Sequence, residues 1–170
     1  MSRLADTLAA VANAPPGEAL VLAEAALADP SLAADAAAEV DALLAAVTAL
    51  VEGLRGRARA AFAKVPAVRG GGFHSGAPDS RPFALYRTVS LLREAGAYAP
   101  EELRARLAEG AVRDTWAAAE CLRLAAILAE VGHLMDAVVG AEVAAADYAA
   151  RVRAVVLAGT LLQPAWSGDG

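Results

Sequence analysis

One cysteine, Cys121, in 170 residues rules out an internal disulfide framework and a cysteine-based zinc cage, and suits a reducing, cytoplasmic setting. Two histidines, His74 and His133, leave little room for a histidine-rich metal centre. Aromatic residues make up only 5% of the chain, so bulk burial must come from leucine, valine and closely packed alanine. No uninterrupted apolar stretch reaches the roughly 20 residues of a membrane span. The runs near 122–134 and 152–162 are broken by Arg123, Glu130, His133 and Arg153. Asp6 interrupts the first apolar segment, which argues against a signal peptide. Lysine, asparagine and isoleucine each occur once, as Lys64, Asn13 and Ile127. Together with abundant Ala, Arg, Gly and Val, this is the imprint of a GC-rich genome, so the arginine content partly reflects codon usage.

What is abundant is alanine, the strongest helix former, and no useful stretch alternates with period two. The expectation is an all-α fold: a single-domain bundle of about six or seven helices over residues 1–170. Residues 1–29 read as two short helices, 30–65 as one long helix, 66–80 as a Gly-rich loop, 81–164 as the C-terminal helices and 165–170 as a loose tail. Leu4, Leu8 and Val11 share one face of the first helix. Leu20, Leu22 and Leu27 carry the second. Asp29-Pro30 starts the third, whose Val40, Val47, Leu54 and Ala61 repeat every seven residues, with Leu43, Leu44, Leu50 and Val51 between them. That is a coiled-coil-like seam. Gly53 and Gly56 inside it mark a kink, a frayed end or a close backbone approach. A helix begins near Pro82 and runs to Gly96, with Phe83, Tyr86, Val89 and Leu92 as its apolar stripe. Further helices start at Pro100 and Asp114, the latter breaking near Gly140, and a last one carries Val143, Tyr148, Val152, Val155, Val156 and Leu162. The long helix and the two C-terminal ones form the frame, with the N-terminal pair across one end. The expected core adds Phe62, Trp116, Ile127, Leu128, Val131, Leu134, Met135, Val152 and Val155.

Charge is unevenly distributed. Between Gly53 and Arg93 stand eight cations against one acid, a net +7, whereas residues 1–52 carry one arginine against eight acids and residues 94–170 six arginines against eleven acids. Inside the basic stretch lies Arg69-Gly70-Gly71-Gly72-Phe73-His74-Ser75, leading to Arg81. Flexible backbone beside guanidinium groups is what an anion site needs, so Arg69, Gly70, Gly71, Gly72, His74, Ser75 and Arg81 are anion-binding candidates. The loop matches no Walker or dinucleotide motif, and the same charges are also explained by packing against the protein's own acidic helices or those of a second copy. The acidic flanks argue against a nucleic-acid partner.

Glu130-Val-Gly-His133 has the Glu-x-x-His spacing that puts two ligands on one helical face. In this it resembles half of the ferritin-like carboxylate di-iron site, and that resemblance makes Glu130 and His133 candidate metal ligands. The second Glu-x-x-His of such a site is missing. Cys121 in mid-helix and the neighbours His74 and Ser75 make no nucleophilic dyad, so no catalytic residue and no cofactor is assigned. The leading reading is a non-enzymatic helical interaction or assembly protein, associating with itself or a protein partner through Ala/Leu/Val faces. The alternatives are a small-anion or nucleotide-binding protein built on the loop, with or without an enzymatic activity, and a carboxylate metal protein.

Overall fold

The computed structural model describes residues 3–63 and 81–166, the side chains of residues 62 and 63 aside. The described residues fold into eight α-helices and no strand. In chain order they are α1 (Arg3–Ala12), α2 (Ala19–Leu27), α3 (Ala36–Ala63), α4 (Arg81–Tyr86), α5 (Thr88–Glu94), α6 (Pro100–Ala108), α7 (Asp114–Val139) and α8 (Ala145–Thr160). A 3-10 turn, Pro30–Asp35, leads into α3.

The frame is α3 against α7 and α7 against α8. At about 1.5 Å per residue, the 28 residues of α3 span roughly 42 Å. The heptad seam is its inner face: Val40, Leu43, Leu44, Val47, Val51 and Leu54 are buried, and Leu50 and Ala61 are packed at its margin. The central helix is α7, in which every residue from Cys121 to Leu128 is buried. A helix apolar all round needs cover all round, and α1, α2, α3 and α8 supply it. The two N-terminal helices lie against α7, with Leu4, Leu8 and Val11 of α1 buried as their spacing predicts.

Several local readings are corrected. The long helix does not begin at Pro30. Asp29 accepts hydrogen bonds from the Ser31 amide and hydroxyl, and with Pro30 in the first position this tightens the entry into a 3-10 turn before α3. Glu39 on the first turn of α3 accepts from the Leu4 and Ala5 amides and so caps α1 across the bundle. In α2, Leu22 points to solvent while Ala19, Ala23, Ala26 and Leu27 face the core. The segment from Pro82 to Gly96 is two helices, broken at Arg87. There the Thr88 hydroxyl donates to the Leu85 carbonyl at 2.7 Å, satisfying an acceptor at the end of α4. Tyr86, read as core, ends up 54% exposed.

Arg113 rather than Asp114 holds the cap position of α7, and Val143 precedes α8 instead of lying in it. Three helices end with the same paired hydrogen bonds, in which one residue turns left-handed. Gly96 and Gly110 do so after α5 and α6 at φ 103° and 72°. After α7 the left-handed residue is Ala141, at φ 62°, and not Gly140. Past α8 the chain doubles back onto α2. The Ala165 amide donates to the Leu27 carbonyl and the Trp166 indole to the Ala26 carbonyl, so Trp166 is a core residue that the sequence reading left out. The Arg123 side chain holds this return, donating to the Leu162 carbonyl at 2.8 Å while paired with Glu120.

Candidate functional site

The Glu-x-x-His pair faces the α1–α2 turn. At Pro15-Pro16-Gly17 the chain reverses, with Gly17 at φ 84°. Both Glu130 oxygens accept from the Gly17 amide, at 3.0 and 3.1 Å. His133 Nε2 lies 2.9 Å from the Ala14 carbonyl, and since a carbonyl only accepts, Nε2 carries the hydrogen. Two side chains one helical turn apart thus hold the two sides of one turn. A metal at His133 Nε2 would have to displace the Ala14 carbonyl. No group of three or more His, Cys, Asp or Glu side chains converges among the described residues.

One turn further along α7, Asp136 pairs with Arg57 of α3, whose guanidinium also donates to the Gly132 carbonyl. A groove of about 270 Å³ runs here between α3 and α7, with Gly53 and Leu50 on one wall and His133 and Asp136 on the other. Gly53 and Gly56 have open space where a side chain would sit, within an unbroken helix. A close backbone approach is not their reason. The close approach is elsewhere: a Cβ on Gly159 of α8 would lie 2.5 and 2.7 Å from the Ile127 side chain of α7.

The positive charge at the C-terminal end of α3 gathers in a second cleft, also about 270 Å³. Arg55 and Arg59, one turn apart on α3, face Ser90 and Arg93 of α5, with Tyr86 at the rim. No acid lines it. Arg55 pairs with Glu52 at 2.6 Å, while Arg59 and Arg93 have no ion-pair partner among the described residues. Part of the basic stretch is neutralised within the chain, by the Arg57–Asp136, Arg55–Glu52 and Arg87–Glu94 pairs. Arg81, the first residue of α4, is exposed. The other anion candidates, Arg69, Gly70, Gly71, Gly72, His74 and Ser75, lie outside the described residues, as does the Gly-rich loop as a whole.

The most unusual surface is the outside of α8. Tyr148, Val152, Val156 and Gly159 face the core. On the opposite side, Ala150, Ala154, Leu157 and Leu161 recur at spacings of four, three and four, all exposed, with Leu157 at 60% and Leu161 at 65%. Arg151 and Arg153 flank this stripe, one on each side. A groove of about 460 Å³ lies between α7 and α8, with Leu20 of α2 at its edge. The outer face of α2 carries Val21, Ala25 and Ala28, flanked by Glu18 and Glu24. Sequence reading named Tyr148, Val152 and Val156 of the inner face but passed over Leu157 and Leu161, whose exposure is set by which face the core takes.

Chemically, Cys121 is inert: burial pushes its thiol up to about 12, slightly opposed by Arg104. Burial likewise pushes the Tyr148 phenol up to about 12, against the Thr88 hydrogen bond and the charge of Arg57. Because the Thr88 hydrogen goes to Leu85, Tyr148 donates to Thr88. No helix among the described residues is long and apolar enough to cross a membrane. No family model matches the sequence, and neither a curated protein nor a solved structure matches the chain.

Proposed function

We propose that this chain is a self-assembling helical protein whose copies pair through the outer faces of α8 and α2. The observation that carries this reading is the two-sided apolar character of α8. A helix with one face on the core ordinarily turns polar residues outward. Here the outward face is a heptad-spaced stripe ending in two exposed leucines. Burying each would contribute about 1.5–3 kcal/mol.

The occupant is α2 of a second copy. Its outer stripe is apolar and lies between two glutamates, while that of α8 is flanked by two arginines, with Asp147 beside Arg151 in the first turn. Leu20 of α2 and Arg151, Ala154 and Ala158 of α8 line one groove, and we place the two-fold axis there, setting each α2 against the other copy's α8. The same contact is then made twice, as an isologous dimer requires. A pairing of this kind also serves solubility, since it removes the exposed leucines and joins patches of opposite charge.

Light scattering on the full chain, from low to high micromolar concentration, tests this. A dimer is expected, dissociated by Leu157→Asp with Leu161→Asp. Arg151→Glu with Arg153→Glu should dissociate it too, and adding Glu18→Arg with Glu24→Arg should restore it. A wild-type monomer at every concentration overturns the proposal. A dimer indifferent to the charge exchange overturns the α2–α8 pairing.

A further inference from the structure

The basic cleft at the end of α3 is separate from the assembly faces and has a different chemistry. Three arginines, Arg55, Arg59 and Arg93, line one space of about 270 Å³ together with Ser90 and Tyr86. Like charges gathered without a counter-charge repel one another. Two other arginines of the same basic stretch are met by acids, Arg57 by Asp136 and Arg87 by Glu94. In the cleft only Arg55 is met, by Glu52. Among the described residues, three cations less that one acid leave two positive charges along a space that no carboxylate lines.

We propose that this cleft binds a small soluble molecule through its phosphate group. A phosphate monoester carries −1.5 to −2 charges near neutral pH, roughly matching the two uncompensated cations. Its oxygens suit guanidinium forks approaching from two helices, with a serine hydroxyl between them. The arginines are set by helical spacing, Arg55 and Arg59 one turn apart on α3 and Ser90 and Arg93 one turn apart on α5. The two helices pack together, so the site is held by the bundle itself. Glu52 and Glu94 border the arginines in sequence and pair with Arg55 and Arg87. An extended polyanion would run into these acids, whereas a compact one stays within the cleft. This inference is independent of the dimer proposed above.

The test is titration of the full chain with inorganic phosphate, followed by phosphorus NMR, with sulfate and citrate as comparison anions. Saturable phosphate binding is expected, at one site per chain, with citrate weaker. Arg59→Ala and Arg93→Ala should each raise the dissociation constant about tenfold, and Arg104→Ala, an exposed arginine on α6, should leave it unchanged. Both cleft arginines are exposed, and unchanged helical circular dichroism would show that the variants fold. Absence of saturation overturns the site, as does binding that the cleft variants do not weaken. Tighter binding of a single-stranded oligonucleotide or of phosphatidic acid vesicles, lost in the same variants, overturns the small soluble ligand in favour of that source.

Discussion

Among the described residues four glycines lie inside helices, and their surroundings give them different roles. Gly53 and Gly56 of α3 face open space, so a methyl group meets nothing and only the conformational cost of glycine remains. Replacing Gly56 by alanine should raise stability by about 0.5–1 kcal/mol. Gly159 is the reverse case. A methyl there collides with Ile127, and Gly159→Ala should lower stability by about 1–3 kcal/mol, because a packed core yields poorly to added volume. Urea denaturation of the two variants checks both signs in one experiment. Gly132 lies between these extremes, its missing side chain leaving room for the Arg57 guanidinium 3.2 Å away. Sequence alone could not sort these positions. Gly53 and Gly56 stand out because they interrupt a heptad pattern, whereas Gly159 follows Val155 and Val156 with no local sign that another helix lies against it.

At the scale of elements, the α1–α2 turn shows how a motif with a chemical look can serve a mechanical end. Glu130 and His133 grip Gly17 and Ala14 from one face of α7. The spacing that puts two ligands on one side also puts two hydrogen-bonding groups within reach of two ends of a tight turn. Glu130→Gln and His133→Ala should each cost about 1–2 kcal/mol, and amide exchange at Gly17 should quicken in both while α3 keeps its protection. Equal loss of protection throughout would show that the clasp is not local.

Helix positions were legible in the sequence wherever periodicity and a cap agreed, as in α1, in the seam of α3 and at Pro100. Boundaries were less so, and for physical reasons. The break at Arg87 depends on a hydroxyl three residues away from the carbonyl it satisfies and on Tyr148, which donates to that hydroxyl from 60 residues downstream. The left-handed turn at Ala141 goes against residue preference, and Gly140 beside it was the natural reading. Of the candidate site, the concentration of positive charge was visible from the start, but not that three arginines from two helices share one cleft. That juxtaposition is tertiary and leaves no mark on spacing along the chain.

At the scale of the whole molecule, burial makes stability depend on pH from the alkaline side. The Cys121 thiol and the Tyr148 phenol are both raised to about 12 in the folded protein, from ordinary values of 9.0 and 10.0. Each group binds its proton more tightly folded than unfolded. Their contribution is therefore complete below about pH 9 and is lost as pH climbs from 9 towards 12. Urea midpoints should fall across that range. In Cys121→Ala the fall should start about one pH unit later, where the tyrosine alone remains. An unchanged onset would exclude the thiol as its source.

The position of α7 has a consequence for how the protein comes into being. The helix that α1, α2 and α3 all pack against begins at residue 114, so during synthesis the first three helices exist before the surface they cover. Until α7 leaves the ribosome, the apolar seam of α3 has no long partner, and the Gly17 turn has nothing to grip it. Such a chain waits with its hydrophobic faces open and then closes cooperatively around a late-arriving axis. The order of the elements leaves the apolar seam of α3 without its long partner during the synthesis of some fifty residues that separate α3 from α7.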